Sequence, residues 1–134
     1  MQLDSIQPDG WAAPRGYANG VLVEGAGRLL FVAGQVAWDA EQRLVGGDDF
    51  AAQFRQALRN VVDVVREAGG APEHLVRLTL FVVDKDAYVA SLKAVGAAYR
   101  ELVGRHYPAM ALVQVAALLE EGALVEIEAT AALP

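Results

Sequence analysis

Few side chains in this chain can do chemistry, and their types narrow the reactions open to it. There is no cysteine, which removes thiolate nucleophiles, thiolate metal sites and disulfides together. The two histidines, His74 and His106, stand far apart with no metal-ligand spacing around them. No protein metal site is expected, and no histidine pair is at hand for acid–base cleavage of RNA. Glu126 and Glu128 are two positions apart in Val125-Glu126-Ile127-Glu128-Ala129, which puts both carboxylates on one face of a strand. Exposed glutamate is the ordinary case, so the residues alone read first as a solvated strand face.

These side chains must be positioned by short strands and two helices. Val21–Glu24 and Leu29–Val36 are β-rich runs separated by Gly25-Ala26-Gly27, a spacing that predicts a hairpin. Ala37 to Gly47 is a loop rich in turn residues. Asp48 and Asp49 can cap the helix that follows, whose apolar stripe is Phe50, Phe54, Leu58, Val61, Val62 and Val65, with Gln53, Arg55 and Arg59 among the residues facing elsewhere. Gly69-Gly70 ends it. Val76–Val83 alternates as a strand with one buried face; Asp84 caps a second helix with a stripe from Tyr88 through Leu92, Val95 and Tyr99 to Leu102. Two more strands, Met110–Ala116 and Leu124–Ala131, follow Pro108, and a weak strand near Leu3–Gln7 opens the chain. The order βββαβαββ describes one α+β domain over residues 1–134, with two helices on one face of a mixed sheet. Its other face then carries apolar positions that need cover, which self-association would supply.

Composition removes several classes of function. With 134 residues, 54% of them hydrophobic and 21% charged, the chain suits one domain folded throughout. A net charge of −6, with only Lys85 and Lys93 as lysines and scattered arginines, argues against a nucleic-acid partner. No apolar run is long enough to span a bilayer, and the opening MQLDSIQPDG has neither the basic start nor the apolar run of a signal peptide. The expected location is cytoplasmic, with no membrane partner.

A set of short segments, each weak alone, is specific in its order and spacing: Tyr17-Ala18-Asn19-Gly20, Phe31-Val32-Ala33-Gly34-Gln35-Val36, Gln56-Ala57-Leu58-Arg59-Asn60, Glu67-Ala68-Gly69-Gly70, His106-Tyr107-Pro108-Ala109, Val113-Gln114-Val115-Ala116-Ala117-Leu118 and Val125-Glu126-Ile127-Glu128-Ala129. From about Tyr17 to the C-terminus the chain resembles the Rid/YjgF family of reactive-intermediate deaminases, once labelled L-PSP endoribonucleases or translation inhibitors. The resemblance implies a chorismate-mutase-like homotrimer with a ligand cleft between neighbouring subunits. It further implies hydrolysis of an enamine or imine of a 2-amino acid to a 2-keto acid and ammonia, with no metal or organic cofactor. The imine carbon is already electrophilic, so catalysis reduces to holding the substrate and orienting water.

On that resemblance Glu126 corresponds to the acid that orients the hydrolytic water, and Tyr17 to the tyrosine at the cleft; a half-buried core tyrosine is the competing reading. The sequence departs from the pattern at position 110, where active deaminases carry an arginine in a Pro-x-Arg step that grips the substrate carboxylate. Pro108-Ala109-Met110 places a thioether there, without donor or charge. Ala33 stands where the family has a small polar residue. Both changes point to a ligand that is less anionic, more hydrophobic, or absent. Met110 can fill the space an arginine vacated. Gly34 lets backbone or ligand approach the strand closely. Trp38 can wall an apolar pocket or seal a subunit interface. Arg15 reads as a surface residue or as a cation arriving from another direction. Arg105 is expected in solvent; His106 is expected to be structural, with proton shuttling the alternative.

Three functions follow. The first is an imine or enamine deaminase, a cofactor-free hydrolase of C–N compounds with altered substrate range, using Glu126 and Tyr17. The second is a trimer that binds a small ligand without turning it over. The third, an endoribonuclease, is disfavoured by the acidic charge, the few lysines and the missing histidine pair.

Overall fold

A computed structural model describes residues 1–134. Its elements are β1 (Gln2–Ile6), β2 (Gly20–Glu24), β3 (Arg28–Gln35), α1 (Phe50–Glu67), a 3₁₀ turn at Pro72–His74, β4 (Leu75–Val82), α2 (Lys85–Ala90), α3 (Leu92–Leu102), β5 (Ala109–Gln114) and β6 (Val125–Leu133). The architecture is α+β, as the periodicity predicts. The main sheet has the order β3-β6-β4-β5, with β3 and β4 antiparallel to β6 and β5 parallel to β4, so it is mixed.

Strand alternation sorts the sheet into two faces. Leu78, Leu80 and Val82 of β4 and Val125, Ile127 and Ala129 of β6 are buried toward the helices. They meet the α1 stripe of Phe50, Phe54, Leu58, Val61, Val62 and Val65, all buried as its 3.6-residue spacing requires. Asp49 caps α1 by accepting from the Ala52 N–H at 3.1 Å. The opposite face has no helix on it. It carries Arg77, Thr79 and Phe81 of β4, in register with Thr130, Glu128 and Glu126 of β6. At its flanks Leu29, Phe31 and Val113 are 59%, 74% and 44% exposed, an apolar surface of the kind that marks an interaction site.

Three sequence expectations are corrected. The Gly25-Ala26-Gly27 link does not make a hairpin: β2 pairs only with β1, from Gln2↔Glu24 to Ile6↔Gly20, while β3 joins β6. The link is captured by the end of β6, where the Gly27 N–H donates to the Leu133 carbonyl at 3.0 Å and no Cβ would fit against Pro134. The second helix is two helices meeting at Ser91. The Ser91 hydroxyl donates back to the Ala87 carbonyl at 2.8 Å and its N–H donates to Tyr88 O, a tightened turn that bends the chain over the sheet.

The third correction concerns Gln53, which faces inward and is fully buried. Its Nε2 donates to the carbonyls of Gly47 and Gly122 at 2.7 and 2.9 Å, and its Oε1 accepts from the Leu124 N–H at 2.8 Å. One amide therefore closes the loop before α1 onto the turn before β6, and every one of its contacts replaces a hydrogen bond that water would otherwise make. Gln53→Leu keeps volume and strands three buried backbone groups; it should lower stability by about 2–4 kcal/mol. Urea denaturation checks this as a lower midpoint at unchanged slope, and an unaltered midpoint would show that water replaces the amide without cost.

Candidate functional site

Most of the predicted site residues fall into two groups, one on the open face of the sheet and one at its β5 edge. The first group lies on the open face. Between the pairs Val32↔Ala129 and Gln35↔Ile127, the two residues Ala33 and Gly34 stand opposite the single residue Glu128. This is a β-bulge, a device that re-aims a strand next to a site. Gly34 is required by what lies above it: a Cβ there would come within 2.8 Å of Glu126 Cδ and 3.0 Å of its Oε1. The Glu126 side chain thus rests on bare backbone, half-buried, while Glu128 beside it is exposed.

The second group sits at the β5 edge. The Ala18 N–H donates to the Pro108 carbonyl at 3.0 Å, and Ala18 forms an isolated parallel bridge with Ala109. This pins the preceding Arg15-Gly16-Tyr17 segment against the start of β5; Gly16, at φ +75°, supplies the left-handed turn. Met110 pairs with Leu78 and so points to the helix side. A recess of about 280 Å³ is lined by Arg15, Tyr17, Tyr88, Met110 and Leu112. Tyr17 is 40% exposed at its rim.

Met110 on β5 and Glu126 on β6 have β4 between them. Two strand spacings across the sheet and a three-residue offset along it separate their backbones by roughly 14 Å, and their side chains leave the sheet in opposite directions. Within one chain no small substrate touches both.

Trp38 lines neither recess. Its carbonyl accepts from Asn60 Nδ2 at 2.9 Å and Gln56 Nε2 at 3.2 Å, so α1 clamps the chain as it leaves β3. The indole Nε1 is buried without a partner. The loop beyond it is held by Asp39, whose carboxyl is lowered below its ordinary range by the backbone N–H of Arg43 above all, with the Glu41 N–H and the Arg43 side chain adding to it. Arg105 is exposed. His106 is structural: its Nε2 is 2.6 Å from the Leu75 carbonyl, and its own carbonyl accepts from the Tyr99 hydroxyl at 2.5 Å. Burial pushes the Tyr99 hydroxyl far up, so it stays protonated and committed to that bond.

Sequence reading missed Arg100. Leu92, Gly96 and Arg100 follow one another at four-residue spacing, a flank of α3 that turns toward the Arg15 segment. That spacing was the available signal. No cluster of three or more histidine, cysteine or acidic side chains is placed to hold a metal ion, and no helix is long and apolar enough to cross a membrane.

Comparison with known proteins identifies the family and the fold. The sequence profile described as Endoribonuclease L-PSP matches residues 10–133. The chain is 33% identical over 135 residues to the RutC family protein slr0709 of Synechocystis, covering 100% of this chain and 99% of that one. It is 30% identical to the human 2-iminobutanoate/2-iminopropanoate deaminase, over 86% of this chain and 78% of the relative. Among solved structures, the Rid family protein YyfB of Yersinia pestis superposes with a TM-score of 0.87 at 38% identity, covering 99% and 100% of the two chains. TdcF of E. coli, solved with bound serine, gives a TM-score of 0.67 at 26% identity, with 91% of each chain covered. Matched along nearly its whole length by profile, sequence and structure, the chain belongs to the Rid/YjgF family, the family also described as endoribonuclease L-PSP.

Proposed function

We propose that this protein hydrolyses imines or enamines of small C–N compounds in a cleft completed by a second copy of the chain, with a substrate range shifted away from small carboxylates. The observation that carries the reading is the placement of Glu126 over Gly34 on the open sheet face, away from Tyr17 and Met110. A half-buried carboxylate beside an uncovered apolar surface is well suited to act on water once another subunit closes over it. Relatives named 2-iminobutanoate/2-iminopropanoate deaminase support the reaction class. A homotrimer, each subunit giving Tyr17 and Met110 to one cleft and Glu126 to the next, satisfies the geometry and covers Leu29, Phe31 and Val113.

The chemistry needs only groups of this chain and water. Glu126 accepts a proton from water as its oxygen adds to the imine carbon, giving a carbinolamine. With the imine entering in its protonated form, Glu126 passes that proton to the carbinolamine nitrogen, the C–N bond breaks, and ammonia leaves as the hydroxyl returns its proton to Glu126 and becomes the carbonyl. Tyr17 supplies a ring against the substrate and a hydroxyl at the rim. Met110 contributes contact area and no charge. That loss of a donor favours one second reading, a trimer that holds a metabolite without converting it.

Three measurements test the proposal. With imines generated in place by an amino-acid oxidase, wild-type protein should accelerate hydrolysis. Glu126→Gln should lower the rate about 100-fold or more, and Gly34→Ala, which displaces that carboxylate, should lower it without unfolding the chain. No acceleration of carboxylate-bearing or neutral imines would leave only the binding reading, which predicts ligand-dependent melting shifts that survive Glu126→Gln. Met110→Arg should raise the rate on small carboxylate imines by supplying a bidentate cation, and an unchanged rate in a folded oligomer would show that more than one residue redefines the cleft. Sedimentation equilibrium should give about three chain masses; a monomer would remove the intersubunit site.

A further inference from the structure

The recess beside Tyr17 and Met110 continues inward. Between α3 and the sheet, each chain holds a second cavity of about 290 Å³, floored by Leu78, Leu80, Met110 and Ile127 and roofed by Val95 and Tyr99. It is a recess half open to solvent, lined mainly by hydrophobic side chains, which is the form small-molecule sites commonly take. An apolar cavity of about 150 Å³ accepts benzene; this one has room for a ring bearing a short chain, or for an eight-carbon tail.

Its mouth has the opposite character. Arg15 and Arg100 both line the cavity, and neither takes part in an ion pair, although Arg43 and Arg55 elsewhere on the chain are paired with acids. Seven of the nine arginines stand outside any ion pair, and what sets Arg15 and Arg100 apart is that both border this one recess. Gly96 lies between Leu92 and Arg100 on the flank of α3 that borders this mouth. Glycine inside a helix weakens it, and packing does not demand it here: a Cβ at position 96 would meet nothing nearer than Arg100 Nη1 at 3.4 Å. What glycine preserves is the opening.

We propose that the cleft takes the apolar body of a monocarboxylate into this cavity, with the carboxylate held at the rim by Arg15 and Arg100. The ligand class is an aryl or medium-chain aliphatic acid. The anchoring charge comes from α3 and the Arg15 segment, and the strand position occupied by Met110 contributes apolar surface to the floor. The guanidinium forks suit a carboxylate, and the tail leaves water for a mainly hydrocarbon-lined recess. Tyr99 adds no polar demand, because its hydroxyl is already spent on the His106 carbonyl. The inference rests on the proposed reading of the Tyr17–Met110 cleft as the ligand site, and adds what that cleft holds.

Calorimetric titration with 3-phenylpropanoate and octanoate, against their primary amides and against acetate, tests it. The two acids should bind the wild-type oligomer at least tenfold tighter than either amide or acetate. Arg100→Gln should erase that preference for acid over amide, and Gly96→Leu should abolish binding of the long acids while leaving the melting temperature equal or higher. Equal affinity for acid and amide, no measurable binding to wild type, or full binding by Gly96→Leu would each overturn the pocket. Hydrolysis is read separately: long-acid binding lost in Gly96→Leu by a protein without imine turnover leaves the pocket standing and removes catalysis. Imine turnover unaffected by Gly96→Leu and indifferent to chain length does the reverse.

Discussion

The two-residue period of a β-strand governs this molecule. In β5 and β6 it sends Met110 toward the helices and Glu126 away from them, with β4 lying between. A sheet is one backbone thick, and side chains on its two faces share no solvent cavity. The residues that the family resemblance joins into a single site are therefore divided by the fold of one chain. Their union requires a second chain, which turns oligomerisation from a means of covering surface into a condition of the proposed chemistry.

Several features of the open face fit that proposed role. Its edge carries large apolar side chains, Leu29, Phe31 and Val113, at exposures that water tolerates poorly. Its middle carries Glu126 on the bulge of Ala33 and Gly34, where the missing Cβ is what allows the carboxylate to lie down against the strand. A bulge locally gives up ladder hydrogen bonds, and Gln35 recovers one by donating from its side chain to the Ala33 carbonyl at 3.0 Å. The helix-covered face has the opposite organisation: a continuous apolar layer that opens into a cavity only beneath Gly96, where one chain can receive the apolar part of a ligand by itself.

Loops are held to this frame by a few amides. Gln53 joins the segments around Gly47 and Gly122, and Asn60 with Gln56 holds the Trp38 carbonyl. These polar side chains on the inner flanks of α1 explain why the helix carries more than an apolar stripe. In a low-dielectric interior each is strongly stabilising when fully paired and costly when not, so they specify loop positions that hydrophobic packing leaves undetermined.

Local rules made much of the fold legible. The apolar stripe of α1, the caps at Asp49 and Asp84, the glycine stop after Ala68, the alternation of β4 and the shared face of Glu126 and Glu128 all depend on neighbours within a turn or two of chain, and the structure has them. The family motifs were legible for the same reason, since each is a short contiguous string. Strand partnership was not: β2 and β3 read as a hairpin because sequence shows only the link between them, whereas β3 is claimed by β6 from the far end of the chain. Gln53 read as outward-facing because amide burial depends on which distant carbonyls arrive beside it. The separation of Met110 from Glu126, and the meeting of Arg15 with Arg100 at one opening, were likewise settled only by tertiary structure. Side-chain type and period are properties of neighbouring residues, while which face meets which, and what space is left between them, are decided by contacts between segments that the chain brings together only when it folds.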